Sequence, residues 1–234
     1  MTSGTNENYP RFRPVADVGV MVEFGETISN EVHAAVLTLD KALAAHPFDG
    51  FTEAVPAYCS LFVGYDPLLA EFTIVKDHVS ALVALMSVSA PEGHLHEIPV
   101  CYDAPFGLDL ASVAEQVGLS AEGVIEAHLA GAYRVYMYGF APGYAYLGGV
   151  PDRIQLPRKA SPVRDIPAGS VLIAGPQCLV TTITMPTGWW IIGRSPAQIL
   201  RPRHEVPFLF EVGDKIKFYR VGASHLAGDG EGAT

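Results

Sequence analysis

The chain has 234 residues and a formal charge of −10, with 25 acidic against 15 basic side chains. That balance excludes nucleic acid and an anionic membrane surface as natural partners, because both recruit clustered Lys and Arg. Hydrophobic residues make up 49% of the sequence, high for a lone soluble monomer, and this points to a permanent protein partner.

The opening stretch MTSGTNENYP lacks the basic and apolar segments of a secretion signal. The longest apolar run, around Val79–Val88, falls far short of the ~20 residues that span a bilayer. A soluble, cytoplasmic protein is expected. Composition and patterning predict disorder at 1–12 and 222–234, an N-terminal α/β domain at 13–106, a helical linker at 107–131 and an all-β domain, barrel or sandwich, at 132–221.

In the first domain, VGVMVEF is a β-rich run ended by Gly25. A helix follows, with Val32, Val36, Leu39 and Leu43 at helical spacing, Ser29 as N-cap and Pro47 beyond its end. GFTEAVPAY and SLFVGY read as strands. Asp66-Pro67 then opens a second helix with Leu69, Phe72, Val75, Val79, Leu82 and Met86 on one face. HEIPVCY returns as strand, and the order βαββαβ predicts an α/β sandwich. His33 and His78 are expected at the surface or a boundary. His94 and His96 share one face of a strand without a third ligand, so no metal site is expected.

The linker reads as two short helices: LASVAEQV capped by Asp109 and stopped by Gly118, then AEGVIEAHLA capped by Ser120 and stopped by Gly131. Beyond Tyr133 helix signals vanish. Residues 139–196 hold eight Gly and eight Pro interleaved with β-branched and aromatic residues, the pattern of short strands and many turns. Cys59, Cys101 and Cys178 are too sparse for a disulfide framework or a zinc site and read as buried thiols.

Chemistry-bearing residues concentrate in four Gly/Pro-rich segments of this C-terminal part. GFAPGYAYLGG carries Tyr144 and Tyr146, LPRKASP carries Arg158, AGPQC carries Gln177, and PTGWWIIGRSP carries Trp189 and Arg194. Arg and Gln offer planar, multi-donor recognition of carboxylates and amides, and aromatic rings supply a flat wall that excludes water. Loops converging at one barrel mouth would suit a small polar ligand; a purely structural role is the alternative. No P-loop, dinucleotide fingerprint or GxSxG elbow is present.

In their order and spacing these segments, together with VEFG, VPAYCSLFVGYDP, IPVCYD and IPAGSVLIAG, resemble the allophanate hydrolase subunit 1 family. That family includes the B subunit of 5-oxoprolinase and an inhibitor of a sporulation sensor kinase, and it is similar to part of the carboxyltransferase region of urea carboxylase. The resemblance runs from about Ala16 to Val221. It implies an α+β protein whose N-terminal α/β domain precedes a cyclophilin-like β-barrel, and a subunit 2 partner with its own cyclophilin-like barrel. It further implies ATP-dependent ring opening of a small lactam such as 5-oxoproline, completed by a third, separate lactam-utilisation subunit, with this chain nearly inactive alone. ATP would serve the complex without a nucleotide motif here. Two alternatives stay open: a subunit of a biotin-dependent urea or amide carboxylase, and a binding protein that inhibits a sensor histidine kinase.

By the same resemblance His128, Arg158 and Arg194 are candidate catalytic residues, and Pro142, Gly143, Tyr144, Tyr146, Gln177 and Trp189 candidate substrate-binding residues. The sequence has Tyr144 where the family usually has phenylalanine, and it departs from the family at three further places. Cys178-Leu179-Val180 replaces the usual continuation after the glutamine, Met185-Pro186-Thr187 precedes Gly188-Trp189, and Val163 stands where a second arginine is expected, with Arg164 one place later. One wall of the expected site is thereby altered, leaving room for a different cyclic amide, urea derivative or carboxylated amide.

Overall fold

Residues 9–88 and 93–226 are described by the computed structural model, and they form two units, the second beginning at Gly93. In the first unit the order is β1 (Arg11–Val15), β2 (Gly19–Glu23), α1 (Asn30–Ala45), β3 (Phe51–Pro56), β4 (Ser60–Tyr65) and α2 (Phe72–Leu85). The strands form an antiparallel sheet in the order β1-β2-β4-β3. Val20 and Val22 alternate with half-buried Met21 along β2, and pack with Leu61 and Val63 of β4 against Val36, Leu39 and Leu43 of α1 and Val75 and Val79 of α2. Each such side chain contributes roughly 1.5–3 kcal/mol by leaving water. Ser29 caps α1 as expected, its hydroxyl oxygen accepting the Val32 N–H at 3.2 Å.

Four expectations change here. Strand β1 begins at Arg11, inside the segment read as disordered; residues 1–8 and 227–234 lie outside the described residues. Asp66 does not open α2. Its side chain and carbonyl accept the Leu68 and Ala70 N–H groups in a separate turn, the helix starts at Phe72, and Leu69 is left exposed. His33 is buried in α1, 1% exposed, although His78 sits at the surface and donates from Nε2 to the His46 carbonyl at 3.0 Å. The expected closing strand is not part of this sheet, so the unit runs ββαββα.

That strand, β5 (Leu95–Val100), pairs in parallel with the last one, β13 (Lys215–Arg220), in the second unit. Between them lie α3 (Leu110–Val117), α4 (Ala121–Leu129), β6 (Tyr133–Tyr138), β7 (Ala145–Gly148), β8 (Val163–Ile166), β9 (Ser170–Ala174), β10 (Gln177–Val180), β11 (Met185–Thr187) and β12 (Trp190–Arg194). Seven strands run in the order β12-β9-β10-β7-β6-β13-β5. Cys101, just past β5, exchanges two 2.8 Å backbone hydrogen bonds with Arg194 at the end of β12. This bridge joins the two edges and nearly closes the barrel, and closure removes exposed strand edges.

The barrel has buried residues on both of its faces. Along β9, Val171 and Ile173 join one core, with Val135, Leu147, Val180, Ile192 and Phe218. Leu172 and Ala174 join a second, outer core with Ile191, Tyr144, Trp189 and the β8–β11 ribbon residues Ile166 and Met185. The segment read as a linker belongs to the first core, through Val113 and Ala114 of α3 and Val124, Ile125 and Ala127 of α4. Gly118 ends α3 in the left-handed conformation and the Ser120 hydroxyl caps α4, as expected. Asp109 makes no cap hydrogen bond; its carboxylate is used elsewhere. Among the described residues no helix is long and apolar enough to cross a membrane, and no three His, Cys, Asp or Glu side chains are grouped to hold a metal.

Candidate functional site

On the outer face, Tyr144, Tyr146, Arg158 and Trp189 come together with Phe140, Met185 and Thr187 around a pocket of about 150 Å³. The loop after β6 supplies the tyrosines. It turns tightly, with the Gly139 N–H bonded to the Tyr144 carbonyl and the Tyr144 N–H to that of Ala141, and Phe140 occupies the left-handed region at φ 70°. The rings form a chain: Phe140 to Tyr144 at 5.5 Å between centroids, Tyr144 to Tyr146 at 5.5 Å, and Tyr146 to Trp189 at 6.0 Å. The Gly148-Gly149 end of this segment packs closely, since a Cβ on Gly149 would lie 2.2 Å from the Ala132 carbonyl oxygen.

Arg158 is held by its neighbours rather than by its own side chain. The Pro157 carbonyl accepts the Trp190 indole N–H at 2.8 Å, and the Lys159 N–H donates to the Gly188 carbonyl at 2.7 Å. Lys159 Nζ reaches the Asp109 carboxylate at 2.6 Å, and the same oxygen accepts the Ile191 N–H. The residues flanking Arg158 are thus pinned to β12 and to the start of α3. Its guanidinium carbon lies 5.6 Å from the centre of the Trp189 ring, and among the described residues it has no carboxylate partner. Burial raises the Tyr144 phenol pKa well above its ordinary range, with Arg158 opposing weakly, so Tyr144 stays an O–H donor. An unpaired cation, phenol donors and flat apolar walls can hold a small ring bearing a carboxylate.

The other sequence candidates lie elsewhere. Arg194 lines a separate cavity of about 440 Å³, with no lining residue in common with the first. Pro142 and Gly143 back onto that second cavity: the Pro142 carbonyl accepts the Thr182 hydroxyl at 2.7 Å, and Gly143 abuts Thr182 and Leu200. Gln177 sits at the start of β10, paired with Gly148 and Ala174, and lines neither cavity. Arg164 lines neither as well.

His128 is fully buried in the barrel core. Its Nδ1 lies 2.7 Å from the Tyr102 hydroxyl, its Nε2 lies 3.6 Å from Cys178 Sγ, and Phe218 stacks on its ring at 4.7 Å. Desolvation drives its pKa down to about 3 and pushes the Tyr102 and Cys178 pKa values up, so all three are neutral. The neutral imidazole is sealed among aromatic rings and lines neither cavity. Phe140 and Asp109 also serve the site, one as a wall and one as the anchor of Lys159; the sequence singles out only Asp109, and as a helix cap.

The family "Carboxyltransferase domain, subdomain C and D" matches residues 10–210. The B subunit of 5-oxoprolinase from Bacillus subtilis is 41% identical over 218 residues, spanning 88% of this chain and 91% of the relative. Its Escherichia coli O157:H7 namesake is 42% identical over 128 residues, 55% of this chain and 59% of that protein. Among solved structures, the conserved uncharacterized protein PH0987 from Pyrococcus horikoshii is 40% identical with a TM-score of 0.55, covering 92% of this chain and 99% of that one. TTHA0988 is 36% identical with a TM-score of 0.77, and the 87% of this chain that matches spans only 40% of TTHA0988. The Kluyveromyces lactis urea carboxylase shares the fold, with a TM-score of 0.75 at 16% identity over 92% of this chain and 22% of that one. The chain belongs to the family of carboxyltransferase-domain subdomains C and D, in which its relatives include the B subunit of 5-oxoprolinase.

Proposed function

We propose that this chain is one subunit of an ATP-dependent 5-oxoprolinase-type enzyme that opens 5-oxoproline or a closely related small lactam. Its partner is a second cyclophilin-like protein, subunit 2, and a third lactam-utilisation subunit completes the activity. The observation that carries this reading is the convergence of Tyr144, Tyr146, Arg158 and Trp189 on one pocket of about 150 Å³, in a chain 41% identical to a 5-oxoprolinase component over most of its length. The urea carboxylase likeness, at 16% identity, bears on fold alone, so a biotin-dependent role has less support.

In this reading Arg158 forks the substrate carboxylate, Trp189 and Tyr146 flank the ring, and the Tyr144 O–H donates to the lactam carbonyl. Among the described residues lining the pocket the one aliphatic hydroxyl is that of Thr187, which accepts the Trp189 N–H at 3.1 Å, and no imidazole, carboxylate or amine lines the pocket to activate it. The chain binds and orients, and the assembly supplies the chemistry. ATP fits neither cavity, because each offers a single arginine where a triphosphate takes several cations or a glycine-rich run of amides. Three free cysteines suit a reducing, cytoplasmic setting.

The test is coexpression with the neighbouring subunit genes and measurement of ATP-dependent glutamate release from 5-oxoproline. Arg158→Gln should lower kcat/KM by roughly 10- to 100-fold, the worth of a charge-assisted pair, with the complex intact on gel filtration. A folded complex that turns over no small lactam, or one indifferent to Arg158→Gln, defeats the proposal.

A further inference from the structure

We propose that the cavity around Arg194 is a second binding site, separate from the Arg158 pocket, and that it takes a small monocarboxylate with an apolar body. Three observations lead there. Arg194 is fixed in place: its N–H and carbonyl each make a 2.8 Å hydrogen bond to Cys101 across the barrel seam. Ser195, the next residue, donates its N–H to the Gly169 carbonyl at 2.7 Å, and a Cβ on Gly169 would lie 2.4 Å from the Ser195 oxygen. The backbone around Arg194 is therefore held on both sides.

Its side chain, by contrast, is half-buried, and among the described residues no acidic group pairs with it. A guanidinium partly withdrawn from water and left without a counter-charge is costly unless a ligand supplies one. Arg194 is also the single charged residue among those lining the cavity. One positive charge matches one carboxylate and not a polyphosphate, for which several cations would be needed.

The remaining lining gives the rest of the ligand its character. Phe106, Ile199 and Leu200 offer an apolar wall. Ser195 accepts the Ala197 N–H and keeps its O–H to donate, and the Gln198 amide is exposed at the rim. Thr181 adds no capacity: its hydroxyl accepts the Ser170 N–H and donates to the Pro167 carbonyl. At about 440 Å³ the cavity admits a body larger than a single five-membered ring.

The probes are N-acetyl-L-leucine and its uncharged analogue N-acetyl-L-leucinamide, titrated by calorimetry into the full chain alone. Neither ATP nor partner subunits enter, so this result and the turnover assay stand apart. The carboxylate should bind about tenfold or more tighter than the amide. That difference should vanish in Arg194→Gln and persist in Arg158→Gln. Should Arg194→Gln fail to fold, Arg194→Lys replaces it; keeping the charge but losing the planar fork, it should weaken carboxylate binding several-fold. No binding, equal binding of the two probes, or a carboxylate preference that disappears with Arg158 and not with Arg194 overturns the proposal.

Discussion

The buried Tyr102–His128–Cys178 cluster makes acid stability a sharp test of the barrel core. The perturbation is His128→Gln, which removes the imidazole while keeping a side chain able to bond Tyr102. In the folded barrel the imidazole titrates at about 3, and burial is the cause; in the unfolded chain it titrates near 6.5. Because the folded pKa is the lower one, the unfolded state binds the extra proton between these values. Stability from the neutral histidine is then complete above about pH 6.5 and is lost as pH falls toward 3. Each pH unit inside that window costs about 1.4 kcal/mol, so moving from neutral pH to about pH 5 costs wild type about 2 kcal/mol that His128→Gln does not lose. At neutral pH the variant should itself be destabilised by about 1–3 kcal/mol, because the amide cannot replace the ring that stacks on Phe218 and packs against Tyr133. Both tryptophans of the chain, Trp189 and Trp190, lie in the barrel unit, so fluorescence-monitored urea unfolding reports that unit selectively. The expected result is a stability gap between wild type and variant that narrows by about 2 kcal/mol from neutral to acid pH. Parallel pH profiles would refute the reasoning, because they require the imidazole to titrate normally in the fold.

Further expectations concern the backbone and charges that place the two arginines. Gly169→Ala puts a Cβ 2.4 Å from the Ser195 oxygen at φ 83°, and should lower barrel stability by about 2–3 kcal/mol, seen as a melting point several degrees lower; an unchanged melting point contradicts the crowding described. Asp109→Asn removes the partner of Lys159 at 2.6 Å and weakens the acceptor for the Ile191 N–H. It should cost about 1–2 kcal/mol and raise KM in the reconstituted enzyme more than it lowers kcat, because it loosens the segment carrying Arg158. An effect on kcat alone would place Asp109 in another role.

How far the sequence discloses the fold depends on how local each signal is. The run SVLIA reads as a strand, and β9 buries every residue because it has a core on each face. The caps Ser29 and Ser120 and the stop at Gly118 are likewise local chemistry. Strand β1 escapes notice because RFRPV carries two arginines and a proline, the composition of an edge strand. The assignment of β5 to the barrel rests on parallel pairing with β13 at the far end of the chain, which no local pattern encodes. The same holds for α3 and α4, whose apolar faces are visible but whose destination is not. In the candidate site, Gly/Pro-rich loops with embedded Tyr, Arg and Trp mark the pocket around Arg158. The face that Arg194 takes is hidden, because the pairing of β12 with β9 shifts register between Ile191 and Gly193. One displaced residue reverses which face the following side chains take, so spacing alone cannot carry Arg194 to its cavity.

The segment Gly139–Tyr146 lies between the two cavities and shapes both. Phe140, Tyr144 and Tyr146 wall the Arg158 pocket, while the Pro142 carbonyl and Gly143 brace Thr182 and Leu200 of the Arg194 cavity. The loop is short and internally bonded, with the Ala141 N–H on the Gly139 carbonyl and the Tyr144 N–H on the Ala141 carbonyl. It also holds Phe140, a residue 77% exposed, in a conformation that costs a non-glycine residue of order 1–3 kcal/mol. Such strain persists only where surrounding contacts fix the backbone, and here the hydrogen bonds of the turn and the Phe140–Tyr144 ring contact do so. The glycine and proline that mark this stretch thus back one cavity, while the aromatic rings beside them line the other.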